Sequence, residues 1–215
     1  MSNPSTPFGL RPAQHLTGSP WNGMTLRCYI PVGDSAGAYF VGYPVILAGS
    51  ASADCSSPTV SIASAGTTNP IFGVITSFEP VDPTGGNVSG NLNLQITYRP
   101  NSTAMYCLVC CDPTVLYEVK SSSATVLANT DVGSNFQLAA GGGGDTTTGF
   151  CSWSVLATGS TTSSAAQVKL IRATGDPDND ITSAYSRWYV LINLNQIFSG
   201  GVTAVGTAIA GAVGV

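Results

Sequence analysis

Charged residues are scarce in this sequence. Lysine and arginine number seven and aspartate and glutamate eleven, so charged residues make up 8% of the 215 positions, against about a quarter in ordinary soluble domains. With only two lysines, Lys120 and Lys169, and a net charge of −4, the chain lacks the basic surface that binds nucleic-acid phosphates. We therefore expect no nucleic acid as a partner. A surface with few charges is polar and uncharged or covered by partners, which is typical of an assembly component.

Groups that serve as general acids or bases are equally few. The one histidine, His15, lies in a proline-rich segment that supports a general base poorly, so we expect a surface or structural histidine. Glu79 and Glu118 are the only glutamates, and carboxylates at strand ends are more often solvated or hydrogen-bonded than paired as in a glycosidase. Residues 141–144 are four glycines without the lysine of a phosphate loop, which predicts a flexible tip. The chain is predicted to be non-enzymatic, without a cofactor.

Neither the six cysteines nor the acidic cluster has a metal-binding pattern. Cys107, Cys110 and Cys111 contain a CxxC spacing without a second pair, and on a strand Cys110 points away from the other two. We predict reduced thiols packed in the core; a bound metal and a disulfide formed after cell lysis are the alternatives. The acidic cluster at 176–180 resembles the opening of a calcium loop, but Ile181 replaces the required glycine and no glutamate closes the loop. Asx turns are the preferred interpretation.

No stretch of the sequence is suited to span a membrane, because the apolar residues 200–215 are too few and too rich in glycine. The first ten residues have neither the basic region nor the apolar core of a secretory signal. We therefore expect synthesis in a cytoplasm and no membrane partner.

The strongest strand pattern is the run 69–80, in which prolines flank a stretch rich in Ile, Val, Phe and Thr. This composition predicts a central strand packed on both faces. Gly73 within it indicates a bulge or a place where another backbone or a ring approaches closely. We predict that this strand pairs with residues 39–48 upstream and with residues 92–98 downstream.

No segment has the 3.6-residue period of a long helix. A helical turn is predicted at 126–131, and residues 153–156 are predicted to pair with 167–173. The fold class is therefore all-β, an antiparallel barrel or sandwich with extended N- and C-terminal arms. Other strands are predicted at 24–32, 59–63, 104–111, 115–120, 134–139 and 188–197. The predicted organisation is an N-terminal arm at 1–25, a β domain at 26–199 with a subdivision near residue 112 left open, and a Gly/Ala/Val arm at 200–215.

The N-terminal arm combines prolines with scattered large apolar residues. Its prolines, at positions 4, 7, 12 and 20, forbid a helix and favour an extended chain. Phe8, Leu10 and Trp21 would have little use in a disordered tail, so we predict that the arm lies on a surface, of its own domain or of a neighbouring subunit. The alternative is a loosely attached tail.

Three segments of the chain resemble one known family. They are Gly-Tyr-Pro-Val-Ile-Leu-Ala-Gly at 42–49, Thr-Val-Ser-Ile-Ala at 59–63 and Pro-Ile-Phe-Gly-Val-Ile-Thr at 70–76. In this order they resemble the opening strands of the small β-rich decoration, or cement, proteins of tailed-bacteriophage capsids. The Pro-Phe-Gly-Leu-Arg-Pro at 7–12 and the Trp-Asn-Gly at 21–23 are similar to N-termini of phage head-associated proteins. The resemblance covers the first half of the chain, which is longer than the smallest cement proteins.

The resemblance implies a virion protein that binds the capsid exterior and stabilises the capsid by bridging major capsid protein subunits. The implied partners are the major capsid protein and further copies of this chain, as a dimer or trimer. From the apolar content of the N-terminal arm, we predict that the interface includes Phe8, Leu10, Arg11 and Trp21. The C-terminal arm is predicted to make a second contact.

Two alternative functions remain open at this point. One is another structural role in a virion, such as a tail, neck or head-fibre component. The other is a carbohydrate-binding β-sandwich that uses Trp153 and Trp188 as stacking platforms. Both tryptophans lie within apolar strands, which favours their packing in the core.

Overall fold

The computed structural model describes most of the chain: residues 3–34, 36–79, 97–122, 126–157 and 163–197, and the backbone of two short strands beyond them. The regular elements in these residues are β-strands, apart from a 3₁₀-helix at Asn129–Asp131, where a helical turn was predicted. The all-β prediction is confirmed. Within the described residues, no helix is long and apolar enough to cross a membrane.

Five strands from the first half of the chain close into a barrel. They are β2 (Leu26–Ile30), β4 (Pro44–Ala51), β5 (Pro58–Ile62), β6 (Gly73–Phe78) and β8 (Met105–Cys110). Around the barrel the order is β2, β5, β4, β6 and β8, with β8 pairing back to β2. The contact of β2 with β5 is parallel, and the other four contacts are antiparallel.

A five-stranded antiparallel sheet packs against the barrel. It consists of β1 (Arg11–His15), β9 (Val115–Lys120), β10 (Asn135–Phe136), β13 (Val168–Ala173) and β14 (Arg187–Ile192). The order is β1, β9, β14, β13 and β10, so that β9 lies between the N-terminal strand β1 and the late strand β14. The chain passes from the barrel to the sheet between Cys110 and Val115.

Three pairs of two-residue strands complete the described structure. They are β3 (Tyr39–Phe40) with β7 (Tyr98–Arg99), β11 (Leu138–Ala139) with β12 (Ser154–Val155), and β15 (Val202–Thr203) with β16 (Thr207–Ala208). The predicted arm at 200–215 otherwise lies outside the described residues.

The predicted central strand is β6, which lies between β4 and β8. Its upstream partner is β4, as predicted. Its other partner is β8, and not residues 92–98, which were predicted to pair there. Residues 92–96 lie outside the described residues. A Cβ atom on Gly73 would lie 2.5 Å from the carbonyl oxygen of Cys110 and 2.6 Å from Cγ1 of Val109. Glycine is therefore required because the β8 backbone approaches closely, as the sequence suggested.

Two local predictions are wrong. Residues 153–156 do not pair with 167–173, because β12 pairs with β11 while both edges of β13 are occupied by β14 and β10. The four glycines are not a free tip, because Gly144 forms a bridge with Cys151. A Cβ atom on Gly144 would collide with the Phe40 ring, so the missing side chain permits close packing.

The barrel and the sheet share one apolar core. Tyr117 of β9 is fully buried, and its hydroxyl donates a hydrogen bond of 3.0 Å to the carbonyl oxygen of Cys110 in β8. Trp153 and Trp188 are each 3% exposed, which confirms that they pack in the core and removes them as exposed stacking platforms.

Four cysteines are buried in this core: Cys28, Cys107, Cys110 and Cys151. Cys28 and Cys107 lie opposite each other on β2 and β8. Burial raises the pKa of Cys28 and of Cys151 to about 12, so these thiols are protonated at neutral pH. The prediction of core thiols is confirmed for these four, whereas Cys55 is exposed and Cys111 is half-buried.

Candidate functional site

The N-terminal segment, which the sequence marked as an interface, is part of the folded domain. Leu10 is 1% exposed and packs in the core, and its N–H donates a 3.0 Å hydrogen bond to the carbonyl oxygen of Gly42. Residues 11–15 then pair with β9 as the edge strand β1. The sequence predicted that the arm lies on its own domain or on a neighbouring subunit, and in the structure it lies on its own domain. The Leu10 side chain is therefore not accessible to a partner in this fold.

Two glycines allow the segment to lie so close to the barrel. Gly9 has a φ of +75° and Gly42 a φ of +90°, which glycine adopts without strain. A Cβ atom on Gly9 would lie 2.6 Å from the Gly42 carbonyl oxygen, and one on Gly42 would lie 2.6 Å from the carbonyl oxygen of Phe8. The N–H of Gly42 donates to Ile75 in the barrel strand β6. The crossing of these two backbones holds residues 8–10 in place.

Arg11 and Phe8 lie together on the outer side of the sheet. Arg11 forms an ion pair of 2.5 Å with Glu118 on the neighbouring strand β9, and its guanidinium lies 4.9 Å from the centroid of the Phe8 ring. The Arg11 side chain is 56% exposed, whereas that of Glu118 is 8% exposed. Arg11 is thus the most accessible of the four predicted interface residues, although its charge is already paired.

Trp21 is half-buried and packs against the edge of the core. Its backbone N–H donates to the carbonyl oxygen of Ala13. The indole Nε1–H is buried and finds no acceptor among the described residues, which carries a cost in stability.

Other exposed apolar residues follow in the same part of the chain. Leu16 is one of the apolar residues for which the sequence predicted that the N-terminal arm lies on a surface, whereas Met24 and Leu26 were not predicted to be exposed. Leu16, Met24 and Leu26 are 53%, 67% and 41% exposed. Leu16 lies beside the connection from β8 to β9, because its N–H donates to the carbonyl oxygen of Thr114, and Leu26 pairs with Val109 at the end of β8. We call Leu16, Met24 and Leu26 the junction surface, because they belong to the segment that connects the sheet strand β1 to the barrel strand β2.

A signal for the junction surface was present in the sequence. Residues 16–26 contain four large apolar side chains, Leu16, Trp21, Met24 and Leu26, among proline, glycine, serine, threonine and asparagine. The segment folds as a tight turn, in which His15 N–H donates to the Ser19 carbonyl oxygen, followed by an extended stretch into β2. Residues 16–23, which precede the predicted strand at 24–32, have neither strand alternation nor a helical period, so no periodic pattern predicts a buried face for them.

His15 lies next to the junction surface in a hydrogen-bonded turn. Its Nδ1 is 3.2 Å from Oγ1 of Thr114 and 3.5 Å from a carboxylate oxygen of Asp112. The Thr114 hydroxyl donates to Asp112 at 2.7 Å, so its proton is directed to the carboxylate and not to the imidazole. The arrangement caps a turn and does not activate a nucleophile in the way that a Ser-His pair does.

The glutamates and the acidic cluster are engaged by arginines and hydroxyls. Glu79 accepts hydrogen bonds of 2.9 and 3.0 Å from Arg27, on the barrel, while Glu118 lies in the sheet. Asp176 and Asp178 pair with Arg187. The hydroxyls of Thr182 and Ser183 donate to Asp180 and hold the pKa of that carboxyl at about 2, which confirms the Asx-turn interpretation there. In the described part of the chain, no three His, Cys, Asp or Glu side chains converge as metal ligands do.

In comparisons with protein-family models, with curated proteins and with solved structures, nothing matches this chain. The function is therefore argued from the residues and their geometry.

Proposed function

We propose that this chain is a non-enzymatic structural protein of a tailed-phage virion. It binds the outer surface of the assembled capsid and stabilises the lattice by bridging major capsid protein subunits. Synthesis takes place in the host cytoplasm, and the protein then resides on the capsid exterior. The resemblance of residues 42–49, 59–63 and 70–76 to cement proteins supports this proposal, as does a composition with 8% charged residues.

The observation that carries the proposal is the junction surface. Three large apolar side chains that are 41–67% exposed lie within eleven residues of one segment, and contact with a partner would remove them from water. Fully burying one leucine or methionine side chain contributes roughly 1.5–3 kcal/mol, so three half-exposed side chains supply several kcal/mol per copy. An oligomer that binds a repetitive lattice multiplies this contribution through its effective concentration.

Arg11, Phe8 and the half-buried Trp21 extend the proposed contact along the same N-terminal segment. Their aromatic and guanidinium groups are the types that dominate binding energy at interfaces. Leu10 is left out of the contact, because its side chain is in the core.

The test is co-sedimentation of the purified protein with capsids that lack decoration. A triple variant, Leu16→Ser, Met24→Ser and Leu26→Ser, should bind at least about tenfold more weakly, since loss of about 1.4 kcal/mol already has that effect. The matched control changes three other exposed apolar residues, Val126, Val132 and Ile181, to serine and should bind like the wild type. Far-UV circular dichroism establishes that both variants are folded.

Point variants are preferable to removal of the N-terminal segment. Deleting residues 1–23 removes the edge strand β1 and the core residue Leu10, so loss of binding would not distinguish an interface from a folding defect. A junction variant that binds capsids as well as the wild type contradicts the proposed contact. A wild-type protein that ignores capsids but forms rings, tubes or fibres alone would favour a tail, neck or head-fibre role.

A further inference from the structure

A cleft lies beside residues 3–8 of the N-terminal segment. It has a volume of about 730 Å³ and is enclosed by residues 3–8, by the loop 142–152 and by the loop 178–187. This volume falls in the usual range for small-molecule sites. Phe8, Phe150 and Tyr185 line it together with Lys120, Arg187 and Asp178. The cleft thus combines aromatic walls with a small number of charged groups.

The N-terminal residues that cover the cleft are fastened at their outer end. The Asn3 side-chain amide donates to the carbonyl oxygens of Asp180 and Ala184 at 2.7 and 3.0 Å, and its oxygen accepts a 2.9 Å hydrogen bond from the Asp180 N–H. At the inner end, Leu10 is anchored in the core. The cleft is therefore a formed feature of the fold, with its covering segment held on both sides.

Lys120 is the unusual group in this cleft. Its residue is 5% exposed, its Nζ donates one hydrogen bond of 2.8 Å to the carbonyl oxygen of Pro4, and it lies 5.7 Å from the Phe8 ring centroid. An ammonium group has three N–H donors. No carboxylate in the described residues lies within 4 Å of it. A buried cation without a counterion is costly.

The neighbouring carboxylates are already occupied by arginines. Arg187, directly opposite Lys120 on β14, pairs with Asp178 and lies 3.3 Å from Asp176. Glu118 pairs with Arg11 and lies 3.8 Å from Arg187. Burial and the charge of Arg187 lower the pKa of Lys120, and the opposite effects of Glu118 and Asp178 are smaller. Lys120 is left as the cation that a bound anion would neutralise.

We propose that this cleft binds a small monocarboxylate whose carboxylate pairs with Lys120 and whose ring or apolar body lies against Phe8 and Phe150. A single unpaired ammonium matches a single negative charge. The carboxylates of Asp178 and Asp145 line the same cleft and would repel a phosphate dianion more strongly than a monoanion. The Phe150 residue is 43% exposed, so a ligand body has apolar surface to cover. Phe8 is shared with the proposed capsid contact, whereas Lys120 and Phe150 belong to the cleft alone, so variants of these two residues test the ligand site independently of capsid binding.

Isothermal titration calorimetry of the full chain tests the proposal with benzoate and glucuronate as probes, and with benzamide, glucose and inorganic phosphate as matched controls. We expect a carboxylate to bind at least about tenfold more tightly than its neutral analogue. Binding of benzoate alone would identify an apolar acid, and binding of glucuronate an acidic sugar. Absence of binding by both carboxylates, or tighter binding of phosphate, would overturn the proposal.

Three variants distinguish the cleft from non-specific binding. Lys120→Met should reduce carboxylate affinity at least about tenfold and should fold, because an apolar isostere replaces an unpaired buried charge. Lys169→Met removes the only other lysine, which is half-buried on β13, outside the cleft, and donates a hydrogen bond to the Gly133 carbonyl oxygen, and it should have no effect. Phe150→Ala should weaken binding while leaving Lys120 in place, so the test remains decisive if Lys120→Met does not fold. Equal affinity in wild type and in both cleft variants would overturn the proposal.

Discussion

The barrel and the five-stranded sheet are built from similar strands but differ in how far their charged side chains are buried. In the barrel, the ion pair of Arg27 and Glu79 lies on the outside, with side chains 41% and 25% exposed. In the sheet, Glu118 and Lys120 lie within β9, which is paired on one edge with β1 and on the other with β14, and are 6% and 5% exposed. The barrel therefore keeps its charges in solvent, whereas the sheet buries two of them on one strand.

The N-terminal segment causes this difference. All six residues of β9 are buried, although only alternate side chains can face the core. Val115, Tyr117 and Val119 belong to the shared core, so Glu118 and Lys120 point to the opposite face, where Arg11 and Pro4 contact them. The barrel is thus a rigid scaffold, and the sheet with its covering segment provides the polar cleft.

The largest effect is expected from a side chain at Gly73, where the barrel strands are closest. Gly73→Val places a branched side chain against the β8 backbone, with a Cβ atom 2.5 Å from the Cys110 carbonyl oxygen. We expect a loss of about 3 kcal/mol or more in the free energy of unfolding, because overpacking against backbone cannot relax easily. Urea denaturation followed by tryptophan fluorescence measures it.

Gly175→Ala is the control for this variant. A Cβ atom on Gly175 meets no atom within 4 Å, so its stability should remain within about 0.5 kcal/mol of the wild type. Equal stability of Gly73→Val and Gly175→Ala would contradict the close approach of β6 and β8.

Smaller effects are expected when each of the two glutamates is replaced by glutamine, and the two variants serve as matched experiments. Glu118→Gln removes the carboxylate from an ion pair in which the glutamate side chain is 8% exposed and Arg11 is 56% exposed. We expect a loss of about 2 kcal/mol in the free energy of unfolding, less than for a fully buried pair, because solvent reaches Arg11. Glu79→Gln should cost about 0.5 kcal/mol or less, since its pair with Arg27 is more exposed.

Salt provides the second comparison of these variants. The contribution of Glu79 to the free energy of unfolding should vanish in 1 M sodium chloride. Most of the contribution of Glu118 should remain, because salt screens buried ion pairs less. A larger loss for Glu79→Gln than for Glu118→Gln would contradict the contrast between barrel and sheet.

The strands of the fold were largely predictable because their signals are local. The prolines and β-branched residues around 69–80 identify β6, and Gly73 identifies its close contact. Strand partners were less predictable. The short strand β12 and the long strand β13 carry similar apolar patterns, so nothing local shows that β12 pairs with β11 and β13 with β14 and β10. That choice depends on the packing of the whole core.

The candidate site was less predictable than the fold. The apolar residues of the N-terminal arm were recognised, but burial of Leu10 depends on a backbone crossing with Gly42, far away in the sequence. The pairing of Arg11 with Glu118 spans 107 positions and follows from the edge position of β1. Leu16, Met24 and Leu26 lie in the connection from the sheet strand β1 to the barrel strand β2, and their exposure depends on how the sheet and the barrel pack together. Such long-range relations leave no periodic signal in a single sequence.

An effect smaller than that of Glu118→Gln is expected at the contact that joins the two regions. Tyr117→Phe removes the hydroxyl that donates to the Cys110 carbonyl oxygen but keeps the buried ring. We expect a loss of about 1 kcal/mol in the free energy of unfolding, with one cooperative transition retained, because the shared core still holds barrel and sheet together. Unfolding curves from tryptophan fluorescence, which reports Trp21, Trp153 and Trp188, and from far-UV circular dichroism should coincide. Two separated transitions in this variant would show instead that the hydroxyl bond, and not the apolar core, couples the barrel to the sheet.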